Sequence, residues 1–225
     1  MNDTGKRVSG SRRKRFEAVH KWAATATAVL ALAISLYNFT QLQRKPRIDV
    51  ALPHLVRIEQ GKFVILYIQP TLSTRFKTEK VEVISDVRLK LHPTGSITSS
   101  KRPDFYWREN SAWGYEPSSG GLTYRWAGDP APFVVSQDKP QQPTIAFEAD
   151  GWNFQPGRYE GSLQLHRSGR NPLVKKFCLV ISKEVIDKFR TDQRSYQFFR
   201  NDVPRSIFPN KAPGCYEFFP FSSFS

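Results

Sequence analysis

The residue types that most often do chemistry are thinly spread along this chain. His20, His54, His92 and His166 stand far apart, without the i,i+4 or H-x-H spacings that bring two imidazoles onto one metal ion. His92 and His166 occupy polar positions of alternating segments, as solvent-facing histidines do. No G-x-S-x-G, H-E-x-x-H, C-x-x-C or glycine-rich phosphate loop occurs. Asp104 and Glu109 flank an aromatic run and are of the type that works as paired acid and base. Such work depends on their separation in space, which five positions of sequence do not set. Spacing therefore points to no catalytic residue, no metal site and no cofactor.

The densest local feature is aromatic. Phe105, Tyr106, Trp107, Trp113, Tyr115, Tyr124 and Trp126 fall within 22 residues, interleaved with Arg108 and Arg125. Exposed rings beside basic groups stack on sugars or bases, or anchor a partner protein. The same rings at alternate strand positions fill a core, and both readings stay open. The candidate binding set is Tyr106, Trp107, Arg108, Trp113, Tyr115, Tyr124 and Trp126. Cys178 and Cys215 form a candidate disulfide if the body of the chain lies in an oxidising compartment; the alternative is a buried free thiol at Cys178.

Topology is thus the prior question, and the first 45 residues address it. Seven basic residues and two acidic ones precede Trp22, and no charged residue occurs from Trp22 to Gln43. Those 22 residues extend about 33 Å as a helix, against a hydrocarbon core of about 30 Å. Trp22, Tyr37 and Phe39 fall near its ends, where amphipathic rings favour the headgroup layer. Only Arg44, Lys45 and Arg47 follow, so the positive-inside bias puts residues 1–21 in the cytoplasm and the body outside.

Three rivals are weaker. Cleavage at Ala31-Leu32-Ala33 would leave a short apolar region rich in Ala and Thr. Ser11-Arg12-Arg13-Lys14 opens like a twin-arginine signal, but Arg15 stands where that signal carries Phe. A buried soluble helix does not ordinarily carry 22 uncharged residues behind a basic block. Ala23, Thr27, Ala31 and Ser35 form a small-residue stripe that would let two such helices approach closely in a homodimer; an alanine-rich helix also generates that spacing by chance.

Beyond Arg44 the period changes to that of strands. Val81, Val83, Ser85, Val87, Leu89 and Leu91 alternate with Glu82, Ile84, Asp86, Arg88, Lys90 and His92, and Tyr159 to His166 alternate likewise. Phe63–Ile68 and Phe177–Ile181 are continuous apolar runs suited to covered central strands. Shorter candidates are Ile48–Ala51, Phe105–Arg108, Leu122–Trp126, Phe133–Ser136 and Thr144–Glu148. Proline- and glycine-rich turns between them predict an antiparallel sandwich or barrel. Ser182 is placed to cap a helix reaching about Arg200, with Val185, Ile186, Phe189 and Tyr196 on one face. Residues 201–225 carry Phe and Pro without a period.

Phe154-Gln155-Pro156-Gly157-Arg158-Tyr159-Glu160-Gly161-Ser162-Leu163 resembles the turn and strand found late in immunoglobulin-like sandwiches, which implies that architecture and no activity. The cysteine pair of antibody domains is absent, and Gly161 stands two residues after the tyrosine. The layout from the basic tail through PRIDV and VEVISDVRLKL resembles uncharacterised single-pass proteins of actinobacteria, a likeness that carries no function.

The expected organisation is a basic tail (1–21), a signal-anchor helix (22–43), an extracytoplasmic immunoglobulin-like β-sandwich (44–200) and an aromatic, proline-rich tail (201–225). The expected role is a non-catalytic binding or interaction module at the cell membrane. An envelope hydrolase or transferase with a dispersed site, or a transmembrane sensor subunit, is the alternative. The net charge is +14, and from Arg44 onward 27 basic residues face 18 acidic ones. That excess favours a partner protein or an anionic envelope component, and the expected location disfavours nucleic acid.

Overall fold

In a computed structural model the described residues are 9–43, 47–75, 81–95, 102–116, 121–136, 140–192, 196–204 and 214–220. The chain divides into a helical unit that ends at Lys45 and also takes in residues 77–80, and a β unit that holds the rest.

The uncharged run folds as part of a single helix, α1 (Ser9–Leu42). Its segment Val19–Leu42 is long and apolar enough to cross a membrane by length and composition. Val29, Leu30, Leu32 and Ile34 are all more than half exposed. The hydroxyls of Thr25 and Thr27 donate to the carbonyl oxygens of Lys21 and Ala23, each at 2.9 Å. Two polar groups in the apolar stretch are thereby satisfied within the helix.

The β unit contains β1 (Ile48–Ala51), β2 (Leu55–Gln60), β3 (Phe63–Ile68), β4 (Thr71–Thr74), β5 (Glu82–Thr94), β6 (Tyr106–Glu116), β7 (Gly121–Gly128), β8 (Phe133–Val135), β9 (Thr144–Asp150), β10 (Gly157–Arg167) and β11 (Arg170–Ile181). Helix α2 (Lys183–Thr191), β12 (Gln197–Arg200) and β13 (Tyr216–Phe218) follow. The protein is mainly β, with one N-terminal apolar helix and a second short one.

Eleven strands form one ladder in the order β7-β6-β9-β3-β2-β12-β13-β11-β10-β5-β8, while β1 and β4 pair separately. The expected immunoglobulin-like sandwich is not confirmed, because these strands run as one ladder that curls into a half-barrel. The cause lies in the C-terminal chain. Strands β2 and β11 would be free edges, but β12 pairs with β2, and β13 pairs with both β12 and β11. Unpaired edge amides and carbonyls are thus joined into one continuous ladder.

Two expected boundaries shift for the same reason. Ser182 does cap α2, its Oγ accepting from the Val185 N–H at 3.3 Å, and Val185, Ile186 and Phe189 are buried. The helix stops at Thr191, and Tyr196 is not on its face, because Gln197–Arg200 is drawn into pairing with β2. The tail is not without regular structure, since Tyr216–Phe218 forms β13.

A third shift concerns phase. In β5 the buried residues are Val87, Leu89 and Leu91 as expected, but Glu82 and Ile84 replace Val81 and Val83. The register against β10 slips between His166 and Arg167, which face Asp86 and Ile84. One extra residue at such a bulge exchanges the two faces of everything before it. Glu82, turned inward, pairs with Arg170 at 2.7 Å.

Cys178 of β11 and Cys215, just before β13, are bonded across the parallel β11–β13 pairing, with Cα atoms 4.6 Å apart. Tyr159 is buried against Trp152 and Phe154. Its hydroxyl accepts from the Gln155 N–H at 2.9 Å and donates to the Gln155 carbonyl at 2.8 Å, fixing the Pro156-Gly157 corner that precedes β10. Gly161 faces Phe177 across the β10–β11 pair, and a Cβ at that position would overlap the ring.

Reduction of the Cys178–Cys215 bond should lower stability by about 4 kcal/mol, given the length of the loop it closes. Urea unfolding of the full chain in micelles, with and without reductant, measures this. Gly161→Ala should cost about 1–3 kcal/mol by overpacking against Phe177, whereas an alanine at exposed Ser182 costs only the cap, about 1 kcal/mol.

Candidate functional site

Most strands of a half-barrel have one face on the core and one on solvent. Strand β3 has both faces covered, as its unbroken apolar run requires. Val64, Leu66 and Ile68 join the main core, while Ile65 and Tyr67 form a second small cluster with Ala146, on which Phe63 and Trp113 pack. This second face carries the candidate site.

Trp113 is its hub. Its ring meets Tyr67 at 5.4 Å, Tyr124 at 5.6 Å and Tyr196 at 4.7 Å, all edge-on. The β6–β7 hairpin therefore reaches over β3 as far as the start of β12. The guanidinium of Arg57 lies over the Trp113 ring at 4.4 Å and over Phe198 at 5.7 Å. Burial pulls the pKa of Arg57 down, and the rings supply the attraction that a carboxylate would otherwise give.

Three carboxylates adjoin these rings, each bonded by a tyrosine. Glu148, buried in β9, accepts from Tyr106 Oη at 2.6 Å and from Arg108 Nη1 at 2.8 Å. Glu109 accepts from the Tyr124 hydroxyl and lies 3.6 Å from Arg108 Nε. Glu59 accepts from Tyr67 Oη at 3.3 Å. A bulge in β6 between Trp107 and Glu109 releases Arg108 from the ladder and lets it meet both Glu148 and Glu109.

The ionisation of the group follows from this packing. Burial lowers the Arg108 guanidinium, but the fields of Glu109 and Glu148 outweigh it and leave the pKa raised. Tyr67 is pushed far up by burial and then by Glu59. Tyr124 is pushed up by burial and by its bond to Glu109, and Tyr106 by its bond to Glu148. Burial holds Glu59 above the usual carboxylate range, partly opposed by the hydrogen bond from Tyr67.

The aromatic candidates separate into three environments. Trp107 points into the main core and packs edge-on against Phe133 at 6.3 Å. Trp113 is half-buried in the second cluster. Tyr106, Tyr124 and Trp126 are exposed, at 51%, 37% and 62%. Tyr115 belongs to β6, and its side chain lies outside the described residues.

Glu109 is engaged by Tyr124 and Arg108, while Asp104 is exposed in the segment before β6. His54 meets Asn201 at 3.0 Å, and no cluster of metal-ligating side chains occurs among the described residues. Ala23, Thr27, Ala31 and Ser35 are exposed on α1.

Arg57, Glu59, Tyr67, Glu148 and Tyr196 are members of the site outside the candidate binding set, and the sequence pattern assigns Tyr196 to the face of α2 instead. Glu148 alone carried a signal, as a charge inside the apolar strand Thr144–Ala149.

Trp113→Ala should lower stability by about 3 kcal/mol, whereas Trp126→Ala should change it by less than about 0.5 kcal/mol; thermal unfolding of the full chain separates the two. Glu59→Gln tests the titration. The raised Glu59 pKa means that the folded state binds the extra proton, so ionisation above that pKa destabilises it. The Gln variant should exceed the parent in stability at neutral pH, with the gap closing as pH falls to the ordinary carboxylate range.

No protein-family model, no curated protein and no solved structure matches this chain.

Proposed function

We propose that this protein is anchored by a single membrane-spanning helix, with residues 1–21 in the cytoplasm and the β unit outside it, where it serves as a non-catalytic binding module. We read the half-barrel as an immunoglobulin-like sandwich whose two sheets are joined along one side by β12 and β13. The Tyr159 corner supports that reading. Anchoring is supported by the uncharged, exposed segment Val19–Leu42 behind a basic block. An oxidising location is supported by the Cys178–Cys215 bond.

The observation that carries the binding role is strand β7. It ends the ladder, so among the described residues one of its edges pairs with no other strand, and Tyr124 and Trp126 project from one face of it with Arg125 on the other. An open edge with aromatic anchors suits an extended partner segment that adds main-chain hydrogen bonds and docks its side chains against the rings. The network beneath, Glu109–Tyr124 and Glu109–Arg108–Glu148, holds the Tyr124 ring in place before a partner arrives.

A second reading, an envelope hydrolase or transferase, draws on Glu59 alone, whose raised pKa suits a proton donor.

Two measurements test the proposal. A C-terminal dual reporter should give phosphatase activity and no fluorescence; fluorescence would mean a cytoplasmic body and would sink the localisation. A photocrosslinker at position 126 should capture a discrete product in cells that the same group at exposed Lys90 does not. Equal labelling at both positions would remove β7 as the binding edge.

A further inference from the structure

A second surface lies close in sequence to the membrane segment. Arg47 follows Leu42, the last residue of α1, by five positions of sequence. Strand β1 begins at the next residue and packs against β11. Between them is a cleft of about 390 Å³.

Three cations line it: Arg47, Arg167 and Lys175. Arg167 donates through Nε and Nη2 to the carbonyl oxygen of Asn171, at 3.2 and 2.6 Å. That contact orients the guanidinium without neutralising it. Neither Arg47 nor Lys175 has an ion-pair partner among the described residues. The one carboxylate in the lining, Asp49, is already engaged by Arg75. Its pKa is lowered first by that bond, with the fields of Arg47 and Lys175 acting in the same direction. The opposite character is present too. Leu173 and Val174 complete the wall, and Val174 is 45% exposed.

Uncompensated cations beside an aliphatic wall fit an amphiphile whose charged part is a phosphate ester. The cations would take the phosphate oxygens, and Leu173 and Val174 the glycerol and first acyl carbons. We propose that this cleft binds the headgroup of an anionic membrane phospholipid and so ties the β unit to the bilayer surface at a second point. The inference rests on the membrane anchoring proposed above; its site is separate from the aromatic face.

Native mass spectrometry of the full chain in an uncharged detergent tests it, with phosphatidylglycerol, phosphatidylcholine and inorganic phosphate titrated separately. One phosphatidylglycerol should bind in preference to phosphatidylcholine. The double variant Arg47→Ala, Lys175→Ala should bind it about thirty-fold more weakly. The charge-preserving pair Arg47→Lys, Lys175→Arg should retain binding, which separates loss of the site from loss of the fold. Equal retention of both lipids, or unchanged binding in the alanine variant, would overturn the proposal. Inorganic phosphate binding as tightly as the lipid would overturn the lipid assignment in favour of a soluble phosphate. Release of the chain from membranes by alkaline carbonate would overturn the anchoring itself, and with it the lipid assignment, whatever the cleft does with phosphate.

Discussion

The β unit depends on how its last strands are spent. Strands β12 and β13 sit between β2 and β11, and without them the ladder would fall into two pieces with facing open edges. Backbone pairing alone is brief here, two residue pairs between β12 and β13 and two between β13 and β11. Side chains reinforce it. Phe199 and Tyr216 are fully buried, the Tyr216 hydroxyl donates to the Pro53 carbonyl, and the Cys178–Cys215 bond ties β13 to β11 covalently. A short parallel contact is the weakest kind of ladder, and a disulfide at that point compensates for what the hydrogen bonds lack.

The β7 end of the ladder is built differently. Strand β7 is a terminus, and its inner neighbours are covered on the second face by the hairpin to which it belongs. Trp113 meets Tyr67, Tyr124, Tyr196 and Arg57, which come from β3, β7, the approach to β12 and β2. The same aromatic set thus does two jobs separated by a few residues of chain. Trp107 and Trp113 pack inward, and Tyr106, Tyr124 and Trp126 remain at the surface with their hydroxyls, where present, held by carboxylates. A rigid, pre-bonded set of rings loses little freedom on meeting a partner.

Charge is divided along the chain in a consistent way. The basic residues before Trp22, the cations following α1 and the Arg47–Arg167–Lys175 cleft are concentrations of positive charge, while the three glutamates of the aromatic face each accept a hydrogen bond from a tyrosine. The cations of the cleft and the exposed rings of β7 occupy different strands.

Much was legible from local pattern. The uncharged, alanine- and leucine-rich run after a basic block pointed to α1, because such residues favour the helix. Period two gave β10 and most of β5, continuous apolar runs gave β3 and the end of β11, and Ser182 gave the start of α2. What the tertiary structure alone decided was every choice between partners. Gln197–Arg200 reads as the end of a helix until β2 offers it an edge, and the phase of Val81–Ile84 reverses at a bulge that only β10 imposes. Arg108 meets Glu148, and Tyr67 meets Glu59, because β6, β9, β3 and β2 lie in that order in the ladder although the first two are far in sequence from the last two. Local sequence sets the period and direction of each segment, but which edges pair is settled by long-range contacts between them, and a single residue of register carries a side chain from core to solvent.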